Sequence, residues 1–194
     1  MGYIFWDTER IRNTKIYMLG YIVTDNSFKI QEETLIIDES IDVSHRHSPK
    51  RKVQELRSKA IVVQGFNKLY ERMKAVFSER SIVCFGQTDF LALNDQLKIA
   101  NEQPMLGDYY DVEHFIKTNQ TGFPTNLAGI AHDLKLDHNP HNPLSDSYVT
   151  MELFKNLVER YPQESMKESI PNKETIMDIE ANGSYANKAN SFSH

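Results

Sequence analysis

The chain contains 194 residues, of which 40% are hydrophobic and 25% charged, and it carries a formal net charge of −5 and one cysteine, Cys84. This composition is typical of one globular domain with a sizeable core, and a lone cysteine excludes both an internal disulfide and a multi-cysteine zinc site. A negative net charge, taken alone, argues against a protein that binds nucleic acid.

The sequence carries no signal for membrane insertion or export. No apolar run approaches the roughly 18 residues that a membrane-spanning helix needs. No basic segment precedes the first apolar residues, as a signal peptide would require. We therefore expect no membrane partner, and we predict a cytoplasmic location.

Three apolar runs near the N-terminus predict strands at residues 3–6, 16–23 and 28–37. The polar residues 25–27 favour a turn, so the second and third strands should form an antiparallel hairpin. Residues 63–77 then predict an amphipathic helix, because their apolar side chains recur on one helical face.

The middle of the chain alternates between predicted strands and helices. Residues 82–85 predict a buried strand, residues 89–100 a helix, and residues 105–110 a fifth strand. Two helices complete the pattern, one capped near Asn126 and one that begins near Pro143. We therefore predict an α/β fold in which a central mixed five-stranded sheet, made of an antiparallel hairpin plus parallel strands, is flanked by helices.

The composition changes near residue 161, after which polar residues dominate. Few apolar side chains in this last part of the chain could anchor it to a core. We therefore assign residues 1–160 to one domain and residues 161–194 to a polar C-terminal tail, with one short helix predicted over residues 174–181.

Two carboxylates follow the first apolar run. Asp7 and Glu9 are two residues apart, so an extended backbone places both on the same face. Like charges this close repel each other unless a cation offsets them, which indicates a metal site built from oxygen ligands. The pattern also fits the solvated end of an ordinary strand.

Three further polar residues lie where predicted helices begin. Asp89 follows the strand at residues 82–85, and His141 and Asp146 flank the start of the last helix. Taken singly, each has an ordinary explanation, either as a helix cap or as a surface residue. In α/β proteins, however, sites form where strands end and helices begin.

The five residues together have a recognisable order. An Asp-x-Glu pair on the first strand is followed by an Asp at a strand–helix junction and by His-x4-Asp before the final helix. This arrangement resembles the DEDDh exonucleases of the RNase H-like superfamily, which include proofreading polymerase subunits, RNase T and oligoribonuclease. The similarity covers residues 3–158, and the apolar stretch at residues 126–134 also resembles the closing part of the family's fold.

The resemblance implies an RNase H-like exonuclease fold and a metal-dependent 3′–5′ exonuclease. Such an enzyme hydrolyses single-stranded nucleic acid from a free 3′ end and releases nucleoside 5′-monophosphates by a two-metal mechanism. Two ions, Mg²⁺ or Mn²⁺, suit carboxylate ligands. By resemblance, the ligands would be Asp7, Glu9, Asp89 and Asp146.

The resemblance also implies roles for residues around the metal ligands. His141 would be the general base, because an imidazole can accept a proton near neutral pH. Thr8 and Phe90, which are adjacent in sequence to metal ligands, are the expected substrate contacts, with the Phe90 ring available to stack on a base.

Two departures from the family pattern bear on the substrate. Much of the family has small residues after the Glu of the first motif, whereas this chain has Arg10-Ile11-Arg12. The second motif often has an Asn four residues before its Asp, and here that position is Phe85. The pattern at residues 84–89 is closer to the branch that includes the histone-mRNA 3′ exonuclease. This similarity favours RNA over DNA as the substrate.

Several alternatives stay open at this point. Residues 46–59 carry six basic side chains and one acid, and they fit either a contact with phosphates or an ordinary solvated helix. The chain could also be a non-catalytic nuclease-like module that binds or regulates a partner. It could act as a proofreading subunit with a polymerase partner or as a homodimer, and no motif decides between these.

Overall fold

The computed structural model describes residues 2–11, 15–44, 46–78 and 80–170. Its strands are β1 (Tyr3–Ile11), β2 (Lys15–Thr24), β3 (Ile30–Asp38), β4 (Ile61–Val63), β5 (Ser81–Cys84), β6 (Asp108–Asp111) and β7 (Lys167–Ser169). Its helices are α1 (His47–Leu56), α2 (Phe66–Phe77), α3 (Thr88–Ile99), α4 (Val112–Thr118), α5 (Leu127–Asp133) and α6 (Pro143–Val158). The strands form a single mixed sheet in the order β4-β3-β2-β1-β5-β6-β7.

The predicted hairpin and the strand–helix alternation are confirmed. Strands β1, β2 and β3 pair antiparallel, and β5 and β6 then add parallel to β1. The turn between β2 and β3 is held by Asp25, whose carboxylate accepts hydrogen bonds from the backbone amides of Ser27 and Lys29. This is the local chemistry that the polar residues of the turn predict.

The sheet has seven strands rather than the predicted five. The two additional strands, β4 and β7, are three residues long and lie at opposite edges of the sheet. A strand of three residues is too short to show an alternating pattern, so its sequence carries little signal. The α/β architecture with a mixed sheet is as predicted.

Each face of the sheet is covered by helices. On one face, α2 and α3 pack through Leu69, Met73 and Leu93 against strand residues that include Trp6. On the other face, α4, α5 and α6 pack around Phe154 and its apolar neighbours. The central strand β2 is buried along both faces, which explains its nearly continuous apolar sequence.

The first ten residues of the predicted tail belong to the folded domain. Strand β7 pairs antiparallel with β6, and the side chains of Met166 and Ile170 are buried in the core. The boundary expected at residue 160 is therefore too early, because a few apolar anchors suffice to hold this polar stretch at the sheet edge. The helix predicted over residues 174–181 lies outside the described residues.

Helix α1 covers one end of the sheet. Its residues Val53 and Leu56 pack against Tyr17 and Ile37, which leaves the rest of its surface to solvent. Among the described residues, we find no helix with the length and apolar character that crossing a bilayer requires.

Candidate active site

The first two acids lie on the central strand of the site. Asp7 and Glu9 are part of β1, because β1 stays paired with β2 as far as Ile11. Both side chains are half-buried and point to the same face of the sheet, as their spacing predicts. The pairing register shifts immediately after Glu9, so the backbone is irregular where Arg10 follows.

The third acid is presented by the start of α6. Asn142 caps this helix by accepting a hydrogen bond from the Leu144 amide, and Pro143 occupies its first turn. Asp146 lies in the same turn, and its amide donates to the Asn142 carbonyl at 2.9 Å. The Asp146 side chain is buried against the sheet.

A glycine allows the start of α6 to lie directly on the sheet. Gly20 is the β2 partner of Asp7, and a Cβ atom at this position would come 2.3 Å from the Leu144 amide nitrogen and 2.4 Å from the Pro143 carbonyl carbon. The Ser147 hydroxyl also donates to the Gly20 carbonyl at 3.2 Å. The close approach at Gly20 therefore brings Asp146 to Asp7.

The three carboxylates converge. One oxygen from each of Asp7, Glu9 and Asp146 lies within 4.8 Å of the others. Burial raises the pKa of Asp7 well above its usual value, and the neighbouring charges of Asp89, Asp146 and Glu9 raise it further. Burial also raises the pKa values of Glu9 and Asp146.

Each of these carboxylates is therefore harder to ionise than an exposed one, chiefly because it is buried. Carboxylate oxygens in such a group are the ligands that hard divalent cations prefer, and a bound cation would reverse the unfavourable electrostatics. The residues present therefore fit a hard divalent cation, in agreement with the metal site that the sequence indicates.

His141 lies at the mouth of the cluster. Its Nδ1 atom is 3.2 Å from Glu9 Oε1, while 76% of its side chain is exposed. Its backbone is in the left-handed region, with φ of +62°, which turns the loop just before α6. The structure thus brings four of the five motif residues together.

The fifth motif residue, Asp89, is buried beside the cluster and faces a different set of partners. Its carboxylate accepts a short hydrogen bond from the Thr8 hydroxyl. The Arg10 guanidinium lies 3.7 Å away through Nε and donates to the Thr88 carbonyl at 2.8 Å. Burial raises the pKa of Asp89, and Arg10 and Thr8 oppose that rise.

Several residues that sequence reasoning did not assign to the site contact its acids, among them His138, Arg10 and Tyr17. His138 is 8% exposed, and its Nε2 atom lies 2.6 Å from Asp146 Oδ1. Arg10 contacts Asp89 as described. The sequence could have pointed to Arg10, because an arginine stands there in place of the small residue usual in the family. It could not have pointed to His138, which lies three residues before the motif histidine and belongs to no motif spacing.

Phe90 does not have the position that its predicted role needs. Its ring is fully buried and packs edge-on against Trp6, with centroids 4.9 Å apart, and against Tyr109. The apolar spacing of α3 turns Phe90 into the core. We therefore exclude Phe90 from the site. Thr8, the other predicted substrate contact, has a buried side chain that donates to Asp89, and unlike Phe90 it is among the residues that line the cleft over the acids.

An open cleft of about 470 Å³ lies over the cluster. Asp7, Glu9 and Asp146 line it, with His138 and His141 in its loop wall and Arg10 at one side. Asn126 to Ala128, at the start of α5, line the cleft as well. The site is therefore open to solvent along one side of the sheet, which suits a chain-like ligand.

No protein-family model matches the chain, and no curated protein matches it in sequence. Solved structures match it in fold. Cell-death related nuclease 4 (CRN-4) superimposes with a TM-score of 0.62 at 15% identity, over 81% of this chain and 64% of that one. The nuclease domain of 3′hExo, a DEDDh family member bound to rAMP, gives a TM-score of 0.57 at 13% identity, over 81% of this chain and 90% of that one.

Exonuclease I of E. coli in complex with a dA16 oligonucleotide is similar as well, with a TM-score of 0.64 at 14% identity over 83% of this chain. The match spans 41% of that enzyme's chain. At these identities the similarity establishes the fold alone, which this chain shares with the three nuclease structures, as the resemblance implies.

Proposed function

We propose that this protein is a divalent-metal-dependent 3′–5′ exonuclease. Its substrate is single-stranded nucleic acid with a free 3′ end, RNA being favoured over DNA, and its products are nucleoside 5′-monophosphates. The observation that carries the proposal is the convergence of Asp7, Glu9 and Asp146, with His141 beside them, in an open cleft. The exonuclease fold supports the same conclusion.

In the proposed mechanism, Asp7, Glu9 and Asp146 would hold one of two ions, and Asp89 would support the other. Bound divalent ions supply positive charge that offsets the negative phosphodiester and assists attack by water. Strand β1 and helix α6 fix the positions of these carboxylates, and the carboxylates would in turn fix the positions of the ions. Mg²⁺ and Mn²⁺ suit such ligands equally.

His141 acts in this mechanism as the general base. Its exposed ring lies at the mouth of the cleft, where it can take a proton from the attacking water once substrate is bound. The contact between its Nδ1 atom and Glu9 holds the ring beside the acids. His138, whose Nε2 atom lies 2.6 Å from Asp146 Oδ1, orients that carboxylate.

The experiment is an assay on 5′-labelled oligonucleotides with Mn²⁺ or Mg²⁺, run in parallel on short RNA, long RNA and single-stranded DNA. Wild type should shorten the strands stepwise from the 3′ end, and EDTA should stop the reaction. Asp7→Ala should abolish it, and His141→Ala should lower turnover by roughly 10² or more while metal still binds. Absence of shortening by wild type, or full activity of Asp7→Ala, refutes the proposal.

The same assay separates the enzyme from a non-catalytic module. A binding module with this fold would bind the oligonucleotide and leave it intact. Thermal stabilisation by Mn²⁺ provides an independent readout, since a functional cluster binds the ion only in the folded state.

A further inference from the structure

We propose that residues 46–59, the basic segment, form the surface on which the upstream part of a single-stranded nucleic acid lies while its 3′ end occupies the cleft. The basic segment comprises α1, the residue before it and the short 3₁₀ turn after it. This inference rests on the proposed function and adds to it a dependence on substrate length.

Positive charge is concentrated in the basic segment. The basic segment carries six lysine and arginine residues and one acid, Glu55, which gives it a formal charge of +5 in a chain of −5. The remaining residues therefore sum to −10. A polyanion approaching this acidic protein is attracted to the basic segment and repelled by most other surfaces.

The basic side chains of the segment point away from the core. The apolar side of α1 packs on the core through Val53 and Leu56, and this contact turns the basic side chains outward. Lys50 and Arg51 are exposed on the helix, and Arg46 is exposed just before it. The charges therefore face solvent, where phosphates can reach them.

Two of the basic residues form ion pairs on the surface. Arg51 lies 3.4 Å from Glu55, and Arg57 lies 3.0 Å from Glu39. Exposed pairs of this kind are weak, so a phosphate can replace the carboxylate at little cost. The pairs do not remove these cations from the proposed surface.

The basic segment contacts the loop that precedes α6. The Lys52 ammonium group donates to Asn139 Oδ1 at 2.7 Å, and Asn139 precedes His141 by two residues. The Asn139 amide in turn donates to the Ser145 hydroxyl at the start of α6. Helix α1 is thus attached to the loop that forms one wall of the cleft, and the two surfaces are continuous.

Together these features predict how substrate length matters. The terminal nucleotides contact the cleft, and only a longer strand also reaches α1, whose ten residues extend about 15 Å. Loss of charge on α1 should therefore weaken long strands and leave very short ones unaffected.

The test compares two double variants that each remove two positive charges. Arg46→Gln/Lys50→Gln alters the basic segment, and Arg72→Gln/Lys74→Gln makes the matched change on the exposed surface of α2. Glutamine keeps the helix propensity in both. Binding of a fluorescent 24-nucleotide strand is measured by anisotropy in EDTA, where hydrolysis does not interfere, over a range of salt concentrations.

We expect Arg46→Gln/Lys50→Gln to weaken binding about tenfold at 0.1 M salt and to reduce the slope of log K against log [salt] by about 1.4, the value for two lost contacts with a single strand. The α2 variant should bind within twofold of wild type. In Mn²⁺, turnover of a tetranucleotide should be the same for both variants and wild type.

Equal weakening by the two variants, or no weakening by either, overturns the proposal for the basic segment. Selective weakening of the 24-nucleotide strand without any shortening by wild type in Mn²⁺ refutes the proposed activity and supports the binding surface. If wild type shortens the strand normally and Arg46→Gln/Lys50→Gln binds it as wild type does, the proposed activity is supported and the binding surface is refuted. Circular dichroism melting verifies that each variant is folded.

Discussion

The carboxylates of the cleft favour ion binding at the expense of the stability of the ion-free protein. Asp7 is close to three other acids, and burial raises its pKa well above that of an exposed aspartate. A raised pKa means that the folded state binds a proton more readily than the unfolded state does. Stability therefore falls as the pH rises from the ordinary carboxylate pKa of about 4 through the raised pKa of Asp7.

Replacing Asp7 by asparagine should remove this loss of stability. We expect Asp7→Asn to stabilise the ion-free protein at pH 7 by on the order of 1 kcal/mol, or about 2–4 °C in melting temperature for a domain of this size. The variant should also lose the stabilisation that Mn²⁺ gives to wild type. Differential scanning fluorimetry in EDTA and in Mn²⁺ measures both effects.

The control for this prediction is Asp133→Asn, the same chemical change at an exposed position. Asp133→Asn should change the melting temperature by no more than about 1 °C, both in EDTA and in Mn²⁺, as is usual for surface substitutions. If Asp7→Asn melts lower than wild type in EDTA, or still responds to Mn²⁺, the electrostatic account of the cluster is wrong.

Arg10 places a positive charge among the acids. It is near Asp89, and its charge lowers the pKa values of Asp7, Glu9 and Asp89. A cation that already neutralises part of the cluster opposes the binding of divalent ions there. We expect Arg10→Gln to bind Mn²⁺ roughly three- to tenfold more tightly, since about 1 kcal/mol is typical of a close pair of charges near a protein surface.

Isothermal titration with Mn²⁺ measures this effect. Arg57→Gln removes the same charge from a surface pair with Glu39 and should leave Mn²⁺ affinity unchanged. Weaker Mn²⁺ binding by Arg10→Gln would mean that Arg10 mainly holds Asp89 in place.

At the scale of elements, the site depends on how closely α6 lies on the sheet. Gly20 permits this approach, because an added Cβ atom would collide with the backbone of Pro143 and Leu144. Gly20→Ala should displace the start of α6 and with it Asp146. We expect a folded protein with destabilisation of about 1–3 kcal/mol and a melting temperature that rises less with Mn²⁺ than that of wild type.

Thermal melting with and without Mn²⁺ separates the two consequences. Ile22→Val, two residues along the same strand, perturbs the core by one methyl group and should keep the full Mn²⁺ response. A full Mn²⁺ response in Gly20→Ala would show that the close approach at Gly20 does not position Asp146.

The same elements show how far sequence reasoning reaches. Strands with a strong apolar pattern, the β2–β3 turn and the capped helices α5 and α6 follow from local sequence, because their signals lie within the element. Strands β4 and β7 do not, since each is recruited to a sheet edge by pairing with a neighbour. The role of Gly20 was equally inaccessible, as it depends on a helix more than a hundred residues away.

Within the site, spacing within a motif was more informative than adjacency to a motif. The order of the motif residues predicted that Asp7, Glu9, His141 and Asp146 lie together. The first two share one face of β1, and the other two flank the start of α6. Adjacency suggested Phe90 as a base contact, yet helical periodicity turns that ring into the core. His138 escaped notice because its contact with Asp146 depends on the fold of the loop between them.

At the scale of the whole molecule, the distribution of charge matters more than its sum. The net charge of −5 first argued against nucleic acid. Three of the acids, however, gather at one cleft with Asp89 buried beside them, and the basic segment is attached to a wall of that cleft. Two divalent ions at the cleft would offset those four charges. The acidic balance of the chain is therefore compatible with a polyanionic substrate.

The most direct measurement for the central claim is the identity of the first product from a 3′-end-labelled single strand in Mn²⁺. The account predicts that the label appears at once as a nucleoside 5′-monophosphate and that EDTA or Asp7→Ala prevents its release. Label that first appears in longer fragments would indicate internal cleavage, and label that stays on the intact strand would indicate no nuclease activity. Either result would contradict the account.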